Sequence, residues 1–215
     1  MDNLHALRKS YTSSGLNESD LSPSPVENFR RWLQIAVDEA PEWFEPNAMT
    51  LSTADRNGNV SARIVLLKSL DDDRFAFFTN YDSKKGQQLA ATGRASLVFF
   101  WPYLERQVRV EGQVTKTSRQ MSQQYFYSRP RGSQISAAVS AQSAVVSGRL
   151  ELEMLARELE DRLKGAEVPC PENWGGYSLT PDRIEFWQGR ADRLHDRIEF
   201  ELQPNGTWFR SRLAP

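Results

Sequence analysis

The sequence predicts one α+β domain built around an antiparallel barrel or sandwich. Five segments with the two-residue period of strands follow one another between residues 48 and 117, joined mostly by hairpin-like links. Three more strand-like segments close the chain, and helical periodicity separates the two groups. Because strands and helices do not alternate one by one, the pattern favours antiparallel pairing over the βαβ units of a parallel sheet.

Helical spacing of apolar residues marks the segments outside the strands. Residues 1–24 are polar, and Ser14-Gly15 and residues 22–25 interrupt their short helical pattern, so we predict a mobile arm. A helix then begins at Pro25, where a proline in the first turn costs nothing. Further helices are predicted over 83–91, ahead of Pro130, within 132–147 and over 149–164. The last helix is expected to bury four leucines: Leu152, Leu155, Leu159 and Leu163.

Alternating apolar and polar residues define the strands. The first begins at Ala48 and ends at the turn Asp55–Gly58, where glycine tolerates a positive φ. The second covers residues 59–69 and becomes apolar on both faces, which predicts that it is buried on both sides. The remaining strands are predicted over 74–79, 95–101, 105–117, 183–189, 197–202 and 208–213.

Composition argues against several classes of protein. The 215 residues carry 27 Lys+Arg against 28 Asp+Glu, so the chain lacks the basic excess of a general nucleic-acid binder. Its longest apolar stretch is about half of what a membrane-spanning helix needs, and its N-terminus lacks the apolar core of a signal peptide. With one cysteine and two histidines, neither a disulfide nor a metal site is expected. We therefore expect a metal-free cytoplasmic protein without a nucleic-acid or membrane partner.

Two clusters of cations interrupt the predicted strands and helices. Arg63 and Lys68 bracket an apolar run, which indicates either a phosphate clamp or strand-end charges that reach solvent. Ser83-Lys84-Lys85-Gly86 begins a predicted helix, whose dipole disfavours cations at that end. An anionic ligand there would remove the penalty and use the free backbone N–H groups, although a solvated lysine pair remains the alternative.

Two further clusters combine arginines with aromatic residues. Tyr125, Arg129, Arg131 and Ser133 surround the predicted helix end, where they suit a second phosphate or form a polar terminus. The segment Trp187–Arg197 contains a histidine and three arginines, which is dense for a surface loop, although a plain charged turn remains the alternative. Together the clusters predict two anion clamps with aromatic surfaces between them. A flat phosphorylated cofactor and a small phosphorylated substrate would fit such a site.

An ordered set of segments resembles the pyridoxamine 5′-phosphate oxidase family, whose members use FMN. Each segment alone is a weak signal, but their order along nearly the whole chain is specific. The matching segments are Arg63–Lys68, Phe77–Asn80, Ser83–Lys85, Glu105–Val108, Ser128–Gln134, Gln142-Ser143, Trp174–Tyr177, Ile184–Gly189, Arg193–Arg197 and Arg212–Pro215.

The resemblance implies a fold, an assembly and a reaction. The implied fold is an α+β split β-barrel, mostly antiparallel with flanking helices, which forms a homodimer and binds FMN between its subunits. An arm over residues 1–24 would precede a single domain over 25–215, with dimerisation and substrate contacts in 170–215. The implied reaction oxidises pyridoxamine or pyridoxine 5′-phosphate to pyridoxal 5′-phosphate, reduces O2 to H2O2 and releases ammonia from the amine.

The resemblance also implies roles for single residues. Contacts to FMN are implied for Arg63, Ile64, Val65, Leu66, Leu67, Lys68, Phe78, Thr79, Lys84, Lys85, Gln107, Gln142, Ser143, Trp187 and Arg197. Contacts to substrate are implied for Arg8, Tyr11, Lys68, Tyr125, Arg129, Ser133, Arg193, Leu194 and His195, with Arg193 and His195 catalytic. The sequence departs from the usual family pattern at Lys84, Phe78 and Glu45, where arginine, tyrosine and aspartate are frequent.

Two other functions are compatible with parts of this pattern. A flavin-binding split-barrel protein without turnover would keep the cations of Arg63–Lys68 and Ser83–Lys85, but it could lack Arg129 and the Arg193–His195 segment. A related oxidase for another aromatic substrate would lack the residues assigned to the substrate phosphate. Both groups of residues are present in this chain.

Overall fold

The computed structural model describes residues 10–13 and 15–215, and it contains five α-helices and nine strands in that part of the chain. The helices are α1 Pro25–Asp38, α2 Lys84–Thr92, α3 Arg119–Ser128, α4 Arg131–Val139 and α5 Arg149–Leu163. The strands are β1 Ala48–Ala54, β2 Val60–Leu66, β3 Ser69–Asp71, β4 Arg74–Asn80, β5 Arg94–Trp101, β6 Arg106–Lys116, β7 Trp174–Gln188, β8 Asp196–Leu202 and β9 Trp208–Leu213.

All nine strands belong to one antiparallel sheet that curls into a half-barrel. The order is β2-β1-β5-β6-β7-β4-β3, with β8 also paired to β7 and β9 to β8. The 15-residue strand β7 pairs with β6 along its length, with β4 through its first half and with β8 through its second half. Because β4 and β8 pair with different halves of the same side of β7, the sheet divides there into a part near β4 and a part formed by β8 and β9.

The main core fills the concave side of this sheet and is covered by α1. Phe29 of α1 is fully buried, with its ring centroid 4.8 Å from those of both Phe75 and Phe99. Alternate residues of β6 and β7, such as Val108 and Phe186, are also fully buried. The two-residue period of these strands therefore places one face in the core and leaves the other for charged residues.

A second, smaller core lies beneath α3, α4 and α5. Phe126, Ile135, Leu159 and Trp174 form its centre. Pro130 separates α3 from α4, as its lack of an amide hydrogen predicts. This cluster sets the position of the ends of α3 and α4 relative to the first residue of β7.

The structure contradicts the prediction that the second strand is buried on both sides. Among the described strands, β2 pairs with β1 alone and forms an edge of the sheet, so Val60 and Ile64 are 72% and 64% exposed in the single chain. An apolar pattern indicates that a strand surface is suited to burial. Whether it is buried depends on other segments of the protein, which the strand's own sequence does not show.

Two further predictions need correction. In α5 only Leu159 is buried, whereas Leu152 and Leu155 are 39% and 38% exposed, because this helix packs against α4 and not against the sheet. The strand predicted over 183–189 begins much earlier, at Trp174. Pro181 concealed its first half, since proline is normally excluded from central strands; here the pairing with β6 shifts register between Glu111 and Gly112, opposite that proline.

Among the described residues, no helix is both long and apolar enough to cross a membrane. The same part of the chain contains no group of three or more His, Cys, Asp or Glu side chains that could hold a metal ion.

The packing of the main core begins before α1, since Leu16 and Leu21 are each 5% exposed and belong to that core.

Candidate active site

A cavity of about 560 Å³ opens between the edge strand β2, strand β4 and helices α3 and α4. Its walls combine cations, hydroxyl and amide groups and aromatic rings. The lining residues are Arg63, Ile64, Val65, Leu66, Lys68, Phe78, Thr79, Asn80, Lys85, Tyr125, Arg129, Ser136, Ala137, Ser140, Gln142 and Trp174.

Lys85 is the most buried cation of this cavity. Ser83 caps α2 by accepting a hydrogen bond from the Gly86 amide, which turns Lys85 inward in the first turn of the helix. Its Nζ lies 3.3 Å from Thr79 Oγ1 and 3.1 Å from Gln142 Oε1, and the residue is only 9% exposed. No carboxylate within residues 10–13 and 15–215 forms an ion pair with it.

Arg63 projects from β2 into a polar network beside Lys85. Its guanidinium donates to Thr53 Oγ1 at 2.7 Å and to Ser61 Oγ at 2.6 Å, and both hydroxyls donate in turn to Gln88. Burial lowers the pKa of Arg63, and burial together with the nearby Arg63 charge lowers the pKa of Lys85. Two partly desolvated cations with only neutral partners favour the binding of an anion at this end of the cavity.

A third cation lies at the aromatic wall. Phe78 stacks on Tyr125 at 4.1 Å and faces Trp174 at 5.7 Å between ring centroids. The guanidinium of Arg129 lies 5.0 Å from the Trp174 ring, and burial lowers its pKa. Its Nη1 is buried and has no hydrogen-bond partner in the described part of the chain, and Arg129 lines the cavity, so its positive charge is not compensated by the residues around it.

Several residues assigned by resemblance fall outside this cavity. Lys84 and Ser143 line an adjoining cavity of about 320 Å³, in which the Lys84 amide donates to Ser143 Oγ at 3.2 Å. Leu67 belongs to the main core, and Ser133 lies in the first turn of α4. Arg8 lies outside the described residues. Their proposed contacts remain predictions.

A second group of assigned residues lies on another part of the sheet. Gln107, Trp187 and Arg197 face each other across β6, β7 and β8, and therefore share one face of the sheet. Arg197 donates to both carboxylate oxygens of Glu185, at 2.8 and 3.1 Å. None of these residues lines the cavity described above, so one chain carries the assigned residues in two separate groups.

The segment with the assigned catalytic residues is a turn. Ala191–Arg193 forms a 3-10 turn in which Arg193 has a φ of 61°. The two-residue spacing of Arg193 and His195 would put both side chains on one face in an extended segment, but the chain is not extended here. His195 Nδ1 accepts a hydrogen bond from the Arg190 amide, and its ring lies 4.8 Å from that of Trp187 and 5.5 Å from that of Tyr11. Leu194 is 70% exposed.

Sequence reasoning missed several residues around the cavity. Asn80, Ser136 and Ser140 line it without having been assigned, although the spacing of the two serines indicates one face of α4. Thr53 accepts a hydrogen bond from Arg63, but nothing in the sequence distinguishes it from other strand residues. Trp174 was part of a matching segment, but its contact with Arg129 depends on tertiary structure.

Comparisons with known families and proteins agree with this architecture. A family model described as pyridoxamine 5′-phosphate oxidase matches residues 33–162, and one described as the pyridoxine 5′-phosphate oxidase C-terminal dimerisation region matches residues 174–215. The chain is 54% identical over 216 residues to the pyridoxine/pyridoxamine 5′-phosphate oxidase of Cupriavidus necator, with 100% of both chains covered. It is 49% identical over 212 residues to that of Rhodopirellula baltica, covering 97% of this chain and 95% of the relative.

Solved structures confirm the predicted split-barrel fold. PhzG from Burkholderia lata 383, solved in complex with tetrahydrophenazine-1-carboxylic acid, aligns with a TM-score of 0.86 and 31% identity over 94% of this chain and 98% of PhzG. An FMN-binding protein from Nostoc punctiforme, related to pyridoxamine 5′-phosphate oxidase, aligns with a TM-score of 0.69 over 91% of this chain and 98% of its own; at 14% identity it supports the fold alone. With both family models matched and identities near one half along the full length, the chain belongs to the pyridoxamine 5′-phosphate oxidase family.

Proposed function

We propose that this protein is an FMN-dependent oxidase that converts pyridoxamine 5′-phosphate or pyridoxine 5′-phosphate to pyridoxal 5′-phosphate. In the balanced reaction O2 is reduced to H2O2, and the amine substrate also takes up water and releases ammonia. The observation that supports this most strongly is one cavity with buried cations that have no carboxylate partner in the described chain, next to a stacked aromatic wall. Two phosphorylated aromatic molecules match that combination of groups.

The residues around Lys85 fit the phosphate of FMN. A phosphate dianion would compensate the charges of Arg63 and Lys85, which now have only neutral hydrogen-bond partners. Thr79 and Gln142 are close enough to Lys85 to join the same site. Ile64, Val65 and Leu66 line the cavity along the edge strand and offer an edge along which a flat ring can lie.

The residues at the aromatic wall fit the substrate phosphate. The guanidinium of Arg129, which lines the cavity, would donate to this phosphate, with Trp174 keeping the guanidinium plane in place. Lys68 lines the same cavity and adds a second positive charge. Bound flavin supplies the hydride acceptor that no side chain can provide. The chain's own part is to bind and orient the substrate carbon for that transfer.

We further propose that the active site is completed by a second copy of the chain. Gln107, Trp187 and Arg197 form a row across β6, β7 and β8 that does not line the cavity, whereas the resemblance assigns them to the same FMN as Arg63. In a homodimer, this row of one subunit could face the cavity of the other subunit. Both groups of residues would then contact the same FMN. The exposed apolar residues of the edge strand β2 and the match of residues 174–215 to a dimerisation region support this arrangement.

The flavin-loaded protein is therefore expected to have twice the mass of one chain. Flavin content should fall together with the dimer on dilution, because each site takes residues from both copies. Sedimentation velocity recorded at the flavin absorbance band and at 280 nm measures both quantities. A flavin-loaded species of one chain mass would contradict the shared site.

Arg129→Ala is expected to lower kcat/KM for pyridoxamine 5′-phosphate by about tenfold or more, because one charge-assisted hydrogen bond to the phosphate is lost. The matched control is pyridoxamine without phosphate, for which wild type and variant should differ little. Steady-state peroxide release measures both substrates. An equal loss with both would show that Arg129 acts on the fold or the flavin and not on the phosphate.

One spectroscopic experiment separates the proposed oxidase from its alternatives. The purified protein should carry a flavin absorbance band that bleaches on anaerobic addition of pyridoxamine 5′-phosphate and returns with oxygen. A stable band that no substrate bleaches would favour a flavin carrier. Since PhzG was solved with a tricyclic carboxylic acid, bleaching by such an acid, but not by the phosphorylated vitamers, would favour an oxidase for another aromatic substrate.

A further inference from the structure

A buried carboxylate next to the second group of site residues has no role in the mechanism above. Glu105 precedes β6, is 9% exposed and forms no ion pair within the described residues. Its Oε2 accepts hydrogen bonds from the backbone amides of Thr12 at 2.8 Å and Ser13 at 3.1 Å, some 90 residues away in sequence. Buried carboxylates need such partners, so the segment at residues 12–13 is fixed to the domain at this point.

The residue immediately before this anchor is Tyr11. Its ring lies edge-on to Trp187 at 5.6 Å and to His195 at 5.5 Å, both of which belong to the proposed site. It also covers Gly189, where an added Cβ would lie only 2.8 Å from the tyrosine ring. The contact between ring and backbone therefore requires the absence of a side chain at position 189.

Glu105 holds both sides of this contact. Its carboxylate binds the amides that follow Tyr11, while its own carbonyl accepts the amide of Gly189 at 2.8 Å and the Gln188 side chain at 3.1 Å. Glu105 also has a φ of 56°, a conformation that favours glycine. A glutamate in this conformation is retained at a backbone cost, which points to a function for its carboxylate.

We propose that Glu105 is a positioning residue, which acts by holding Tyr11 against the Trp187–His195 surface. The catalytic importance of this contact rests on the proposed function, because the Trp187–His195 surface includes the turn whose residues are assigned to the substrate. Glu105 itself is not assigned a contact with substrate or flavin. Its effect passes through the amides of Thr12 and Ser13 to the neighbouring ring.

The anchor can be tested without any turnover. The Tyr11–Thr12 peptide bond is a chymotrypsin site whose amide donates to Glu105, so it should be protected in the wild-type holoenzyme. Glu105→Ala keeps the same left-handed backbone requirement and removes the acceptor. We expect cleavage after Tyr11 to become at least about tenfold faster, because the variant loses two charge-assisted hydrogen bonds and either one supports an effect of that size. Glu105→Gln retains a neutral acceptor and should fall between the two.

Asp182→Asn serves as the matched control, because Asp182 forms an exposed ion pair with Arg94 and does not contact residues 10–13. Cleavage in this variant should equal that of the wild type. If Glu105→Ala does not fold, Glu105→Gln decides the question alone. Equal cleavage rates in the wild type and every folded Glu105 variant would overturn the anchor.

Kinetics then test whether the anchor acts through Tyr11. Glu105→Ala should raise KM for pyridoxamine 5′-phosphate about tenfold with a smaller change in kcat, and it should have no further effect in a Tyr11→Ala background. Additive effects would overturn the positioning role, since they would mean that Glu105 acts independently of Tyr11. If the wild type fails to turn over this substrate, the proposed function fails, whereas the cleavage result still decides the anchor.

Discussion

Arg193→Ala is expected to lower turnover of pyridoxamine 5′-phosphate by about 10²–10³-fold while the protein keeps its flavin and its dimeric state. The turn Ala191–Arg193 is exposed, and within the described residues the Arg193 side chain forms no ion pair. The fold therefore loses little when the side chain is removed. In the proposed oxidase this guanidinium orients the substrate ring and stabilises charge as the hydride leaves, so the loss should fall on the chemical step.

The neighbouring Arg190 provides a control within the same loop. Arg190 donates to the buried Asp196 at 3.4 Å, and its replacement by alanine should lower the melting temperature more than Arg193→Ala does. His195→Ala should reduce turnover more mildly than Arg193→Ala, because a neutral imidazole gives a weaker hydrogen bond than a guanidinium. Flavin content, melting temperature and turnover are measured on one preparation of each variant. Near-normal turnover in a flavin-loaded Arg193→Ala protein would remove Arg193 from catalysis.

The second large effect is expected at the cofactor end of the cavity. Arg63→Ala should weaken FMN binding by about 10–100-fold, because it removes a charge-assisted hydrogen bond to the phosphate. The same change also leaves Thr53 and Ser61 without their guanidinium donor, which disturbs the polar network that these hydroxyls form with Gln88. Titration of the apoprotein with FMN, followed by quenching of flavin fluorescence, gives the dissociation constant.

Arg56 offers a matched control for this measurement. Arg56 is exposed at the β1–β2 turn, donates only to the Ala91 carbonyl among described residues, and does not line the main cavity. Arg56→Ala should bind FMN as the wild type does. Arg63→Lys keeps a charge but loses the forked donor geometry, so it should recover only part of the affinity. Unchanged affinity in Arg63→Ala would take Arg63 out of the phosphate site.

Local sequence was sufficient for the elements whose boundaries depend on backbone chemistry. Pro25 begins α1, Ser83 caps α2 through a hydrogen bond to the Gly86 amide, and Pro130 separates α3 from α4. These boundaries follow from proline's missing amide hydrogen and from serine's ability to accept from an unpaired amide at a helix start. The two-residue period likewise predicted β5 and β6 to within a residue or two of the observed bounds.

The cations of the cofactor end could also be identified before the structure. Lysines in the first turn of a helix are unfavourable without an anion, and this reasoning identified Lys84 and Lys85, of which only Lys85 lines the main cavity. Burial and the absence of a carboxylate partner in the described chain now support that interpretation. The family resemblance was needed to connect Lys85 with Arg63 and Arg129, because residues from β2, α2 and α3 meet only through long-range packing.

Tertiary structure alone decided which apolar faces are covered and how the site residues are grouped. The pattern of β2 did not reveal an edge strand, and the leucine spacing of α5 did not reveal that only Leu159 would be buried. The two-residue spacing of Arg193 and His195 would place both side chains on one face of an extended segment, whereas the chain turns there with a positive φ at Arg193. Burial and grouping depend on contacts between residues far apart in sequence, and a local period contains no information about which distant surface will supply them.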